Sequence, residues 1–247
     1  MTEAAAELPV PPEQAGVLFG DRLADALRYA ELLADAGVRR GLIGPREVPR
    51  LWERHLLNCA VLSEVIDRDV SVCDVGSGAG LPGIPLALIR PDLEITLLEP
   101  LLRRTMFLEE VVKLLGLDNV SVVRGRAEEM VGNLPPVDVV TARAVAPLDR
   151  LAGWGLPLLR PHGEMAVLKG DTAMEELKAA RAALSRLGAV GAQVVQVGEG
   201  VVEPLATVVR VQVGESPGGV RAATRRAKAA RASRNPRNSG SGGRRRR

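Results

Sequence analysis

A chain of 247 residues is long enough for one sizeable core with appendages. Its 46% apolar content is that of a globular protein, aromatics make up only 2%, and 33 bases against 30 acids leave it nearly balanced. No apolar run approaches the roughly 20 residues of a membrane span, and no basic-then-apolar leader is present, so a soluble cytoplasmic protein is expected.

Residues 1–16, rich in Ala, Glu and Pro, read as loose. From Asp21 to Ala36 the positions Leu23, Leu27, Ala30 and Leu33 recur at helical spacing, with Gly37 as a stop. A second helical pattern follows Pro45 and Pro49 and carries Leu51, Trp52, His55, Leu56, Cys59 and Leu62. These helices define a helical N-terminal extension over residues 1–66. Cys59 and Cys73 read as small buried hydrophobes of a reducing compartment. With only His55 and His162 to supplement them, no metal site is expected.

Over residues 67–215 strands and helices alternate. Strands are predicted over 70–75, 94–99, 120–124, 137–142, 164–169, 190–197 and 203–213, with helices over 82–90, 101–116, 148–160 and 172–187. Such alternation gives an α/β fold with a seven-stranded, mostly parallel sheet. The last two strands have no helix between them and must pair as an antiparallel edge hairpin.

The first strand ends in Asp74, and glycines follow at 76, 78, 80 and 83. Glycine permits positive φ and close approach of the backbone to a ligand. Glu99 closes the next strand, where a carboxylate can accept hydrogen bonds from ribose hydroxyls. The segment Gly78-Ala-Gly80-Leu-Pro-Gly83 matches the dinucleotide pattern GxGxxG, which makes an oxidoreductase the rival reading. Asp74, two residues before the first glycine, favours S-adenosylmethionine instead. Acid-x-Gly-x-Gly-x-Gly is the first motif of class I methyltransferases, whose fold is Rossmann-like. Asp74, Gly76 and Gly78 are therefore candidate cofactor-binding residues, with Asp74 ordering the turn and the cofactor's amino group.

A more specific resemblance is carried by Arg54-His55-Leu-Leu-Asn58 and by Asp74 through Pro85, which includes Gly-Leu-Pro-Gly-Ile-Pro. Leu101-Leu-Arg-Arg-Thr-Met-Phe-Leu108, Arg126-Ala127-Glu128-Glu129, Thr141-Ala-Arg143-Ala144 and Leu168-Lys169-Gly170 extend it. Together these segments resemble the bacterial 16S rRNA guanine-N7 methyltransferase family, also known as glucose-inhibited division protein B. The resemblance implies S-adenosylmethionine as cofactor and a guanine in the decoding region of 16S rRNA, on the small ribosomal subunit, as substrate. It places Gly76 and Leu81 along the cofactor and Ala127 and Glu128 beside the adenine, and it has Arg143 reach both the cofactor, as a binding residue, and the mouth of the active site, as the catalytic candidate. His55 and Lys169 are candidates for RNA contact. Trp52, Trp154, Tyr29, Phe19 and Phe107 are the available stacking residues. No membrane partner is expected, and the fold gives no reason to expect more than a monomer.

Guanine N7 carries an exposed lone pair, so its methylation needs no general base. Positioning and desolvation would carry the rate.

No acid follows Glu215, so residues 1–215 hold 22 bases and all 30 acids, a net of −8. Residues 216–247 carry eleven bases. They are predicted to form a disordered basic tail that binds RNA without sequence preference.

Overall fold

The computed structural model describes residues 8–234. Seven strands form one sheet: β1 Ser71–Val75, β2 Glu94–Glu99, β3 Val120–Arg124, β4 Val137–Arg143, β5 Leu159–Lys169, β6 Ala189–Val197 and β7 Ala206–Val213. Their spatial order is β3-β2-β1-β4-β5-β7-β6. The β3-β2-β1-β4-β5 part is parallel, and β7 runs antiparallel to both β5 and β6.

Strand residues alternate between two cores, as the period of two requires. Val72, Leu97, Val139, Ala166 and Val208 face one core, and their neighbours Cys73, Leu98, Val140, Val167 and Val209 face the other. The first face is covered by α4 Gly83–Ile89, α5 Leu102–Leu115 and the helices that precede β1. Those are α1 Glu13–Phe19, α2 Leu23–Leu32 and α3 Asn58–Ala60, joined by π-helical turns at Leu33–Gly37 and Leu51–Leu57 and 3-10 turns at Pro45–Arg50 and Val61–Val65. The second face is covered by α7 Leu148–Gly155, α8 Ala173–Arg186 and α9 Gly219–Arg234, with the short α6 Ala127–Met130 beside them. Glycine ends α5 cleanly. Gly116 adopts φ +58°, which lets the Leu117 N–H reach back to Val112 O at 3.1 Å.

The N-terminal helices share a core with the sheet, since Tyr29, Trp52 and Leu56 cluster with Val72 and Leu97. Arg90 adds a polar tie, donating to the carbonyls of Ile66 and Asp67 at 3.0 and 2.7 Å.

Three sequence expectations need correction. Residues 9–16 are fastened rather than loose, because Ala15 is buried and Trp52 Nε1 donates to Pro9 O at 3.0 Å; residues 1–7 lie outside the described residues. The predicted helix 148–160 yields at Gly155 to a single turn containing Pro157, and β5 starts at Leu159. The predicted disordered tail contains α9, an Ala- and Arg-rich segment of high helical propensity whose Ala222 is buried against the second core. Residues 235–247 of that tail lie outside the described residues. Among the described residues no helix is long and apolar enough to cross a membrane.

Candidate active site

The carboxyl ends of β1, β2 and β4 open into a hollow of 580 Å³, lined by Gly76–Ala79, Leu81, Glu99, Arg126, His55 and Arg143–Val145. Ligands gather at this edge in open α/β sheets. Gly76, Gly78 and Gly80 take φ of +72°, +59° and +99°, which bends the chain back above β1. The bend is held by Gly76 N–H to Leu98 O at 2.8 Å and Gly80 N–H to Ser77 O at 2.7 Å. Tyr29 pins the turn from below, its hydroxyl donating to Ala79 O at 2.8 Å.

Glu99 is 1% exposed as a whole residue, yet it contributes to the wall of the hollow. Its Oε2 accepts from Gly78 N–H and its Oε1 from Leu101 N–H, each at 3.0 Å. A carboxylate offers about four acceptor positions, so two remain for ribose hydroxyls. Beside it lies a smaller apolar slot lined by Leu98, Ala127, Glu128, Val145 and Trp154, which suits a flat purine. The positive-φ turn, the acid and this slot fit S-adenosylmethionine.

Asp74 stands behind the wall rather than in it. It is fully buried, with Oδ2 accepting from Gly83 N–H at 3.1 Å and Oδ1 without a hydrogen-bond partner among the described residues. Burial pushes its carboxyl up to about 7, with the Gly83 N–H opposing that rise. Its neighbour across the sheet, Thr141, likewise has a buried hydroxyl without a partner among the described residues. Asp74 thus fastens the start of α4 beneath the glycine turn.

Arg143 ends β4 on the wall shared with a second hollow of 540 Å³, lined by Arg54, Asn58, Ala144–Pro147, Lys169 and Glu176. Its guanidinium is held by the N-terminal helices. Nη1 donates to Arg54 O at 3.1 Å and to Cys59 Sγ at 3.2 Å, and Nη2 meets His55 Nδ1. His55, proposed from sequence for RNA contact, is 5% exposed and spends its other nitrogen on Glu47 Oε2 at 2.8 Å. It acts as a strut for Arg143. Lys169 borders the second hollow, but its ammonium is bound to Ala146 O and Glu176 Oε2 at 2.8 and 2.7 Å. Of the five stacking candidates, Phe19, Tyr29, Trp52 and Phe107 are core residues, and Trp154 sits at the purine slot under Arg150. No motif surrounds Glu47 in the sequence to signal its contact with His55, and the aromatic ring of Tyr29 gives no sign that its hydroxyl holds Ala79 O.

Residues 22–204 match the family model described as rRNA small subunit methyltransferase G. The chain belongs to that family. The ribosomal RNA small subunit methyltransferase G of Streptomyces avermitilis is 78% identical over 234 residues, covering 95% of this chain and 98% of the relative. The protein of the same name from Thermobifida fusca is 62% identical over 204 residues, covering 83% and 86%. Among solved structures, cofactor-bound Rv0187 from MTB shares the fold at a TM-score of 0.50 and 18% identity, covering 85% of this chain and 100% of its own. Fold and family together make this methyltransferase G relative an S-adenosylmethionine-dependent enzyme, and the oxidoreductase reading falls away.

Proposed function

We propose that this chain transfers a methyl group to N7 of one guanine in the decoding region of 16S rRNA, in the cytoplasm, with the small ribosomal subunit or its rRNA as partner. S-adenosylmethionine supplies a sulfonium-bound methyl that a lone pair can take by in-line displacement. Gly76, Gly78 and Leu81 line its path, Glu99 holds the ribose, and Ala127 with Glu128 flanks the adenine.

The observation that carries the reading is the state of the acids and imidazole around the two hollows. Glu99 is bonded to two backbone N–H groups, Glu176 to Lys169, and His55 has both ring nitrogens engaged. Once ribose hydroxyls take the two acceptor positions left on Glu99, no carboxylate or imidazole among these remains to remove a proton. An exposed guanine N7 needs none, whereas a hydroxyl or exocyclic amine nucleophile must lose one. Catalysis then rests on orientation, with Arg143 on the partition between the hollows. The target base must leave regular A-form geometry to present N7, because that groove is too narrow for side chains.

The test is transfer of labelled methyl to unmodified small subunits and to naked 16S rRNA, mapped by cleavage specific for N7-methylguanine. A single site in the decoding region is expected. Label at another atom or on another RNA would overturn the assignment.

A further inference from the structure

Helix α9 is held to the body in a way that leaves Arg225, Arg226 and Lys228 without a carboxylate partner among the described residues. Arg226 Nη2 donates to Pro157 O and Leu159 O at 2.7 and 2.8 Å, and Arg225 Nη1 donates to Glu128 O. Apolar contact completes the attachment. Ala222 is 3% exposed, and a Cβ added at Gly132 would lie 2.8 Å from that of Ala229, so the glycine lets the helix approach closely. The polar acceptors are carbonyls, not carboxylates. None of the ion pairs among the described residues includes Arg225, Arg226 or Lys228, although the preceding 215 residues carry a net −8.

Arg225 and Lys228, three residues apart and so on one side of the helix, are both exposed. In the sequence, further bases stand at 221, four residues before Arg225, and at 231, three after Lys228. Glu128, whose carbonyl receives Arg225, lines the purine slot. The basic row therefore begins at the rim of the cofactor cleft. We propose that α9 is a docking surface for the phosphate backbone of rRNA, fixed beside the adenine end of that cleft.

The chemistry selects this partner. A membrane surface would need large apolar side chains to bury, and the exposed described residues of α9 are Ala223, Thr224, Arg225, Ala227 and Lys228. Polyanionic RNA approaching an acidic body needs a local positive field, and uncompensated bases provide it. A helix already docked loses less freedom on binding than an unstructured tail would.

The inference rests on an rRNA substrate but not on which atom is methylated. Full-length Lys228→Glu is compared with wild type and with Lys178→Glu, an equal charge change at an exposed position of α8. Affinity for unmodified small subunits and for naked 16S rRNA is measured across a salt series, alongside cofactor Kd and kcat. Lys228→Glu is expected to weaken both RNA-containing partners severalfold at low salt. It should flatten the log–log salt slope by on the order of one, with cofactor Kd and kcat unchanged. Lys178→Glu should match wild type. Equal affinities for all three proteins, or equal losses in the two variants, would overturn the proposal. So would a loss confined to intact subunits, which would mean that α9 meets a ribosomal protein. If wild type binds RNA in this pattern but leaves guanine N7 unmethylated, the substrate atom is wrong and the docking surface stands.

Discussion

Arg143 donates to Nδ1 of His55, and that single contact fixes the state of the imidazole. A guanidinium has no acceptor, so Nδ1 must carry the lone pair and Nε2 the hydrogen, which points at Glu47 Oε2 2.8 Å away. Burial, then the Arg143 charge, pushes His55 down to about 4 against the pull of Glu47. A neutral histidine thereby transmits the position of the N-terminal helices to the residue between the two hollows.

Replacing Arg143 tests that role. Lysine cannot span Arg54 O, Cys59 Sγ and His55 Nδ1 together, because its donors radiate from one atom. Arg143→Lys should lower kcat about a hundredfold through misplacement and change cofactor Kd little. Methyl transfer near the wild-type rate would remove Arg143 from the essential set.

The folded pKa of His55 lies below its free value of 6.5, so the unfolded chain binds more protons between pH 6.5 and 4. Stability should fall as pH drops through that window, by up to roughly 3 kcal/mol, and be unaffected by His55 above it. The chain has two histidines, and His162 is exposed, so the imidazole NMR signals are easily distinguished. His55 should stay neutral at pH 5; a midpoint near 6.5 would contradict the contact with Arg143.

Asp74 has the opposite sign. Its carboxyl is raised from 3.8 to about 7, so the folded chain binds more protons in that interval and loses stability as pH rises through it. Asp74→Asn keeps an acceptor for Gly83 N–H but cannot ionise. Calorimetry should show wild type melting lower at about pH 8 than at about pH 6, with the difference much reduced in the variant. Equal pH dependence in both would assign the effect elsewhere.

Two glycines of the turn should respond differently to alanine. At Gly83 a Cβ would lie 2.2 Å from Leu97 Cδ2 and 2.9 Å from Asp74 Oδ2, a steric conflict with a cost of about 1–3 kcal/mol or more. At Gly78 nothing comes nearer than 3.8 Å, and only the φ of +59° opposes the change, at about 1 kcal/mol. Urea unfolding should rank Gly83→Ala as the more destabilising, and the reverse order would refute this packing.

The extended elements were readable because local pattern and tertiary burial agree in them. The predicted bounds of β2 and β3 match those observed, and the antiparallel pair follows from the missing helix between β6 and β7. The glycine turn was readable for the same reason, its residue types being required by backbone geometry. Glu47, Tyr29 and Cys59 were not, since each gains its role from a partner at least eight residues away. Helix α9 was not legible because its segment has almost no periodic apolar pattern, whereas carbonyl acceptors from Glu128, Pro157 and Leu159 draw Arg225 and Arg226 in.

The strand order has a consequence for how the molecule is made. β7 is the last strand to be synthesised, yet it lies inside the sheet between β5 and β6. Until it emerges, β5 presents an open edge and β6 has no neighbour to pair with. Such edges are templates for association between chains. A product that stops before Ala206 is therefore sticky rather than merely short, and quality control that senses open edges can tell it from the finished enzyme.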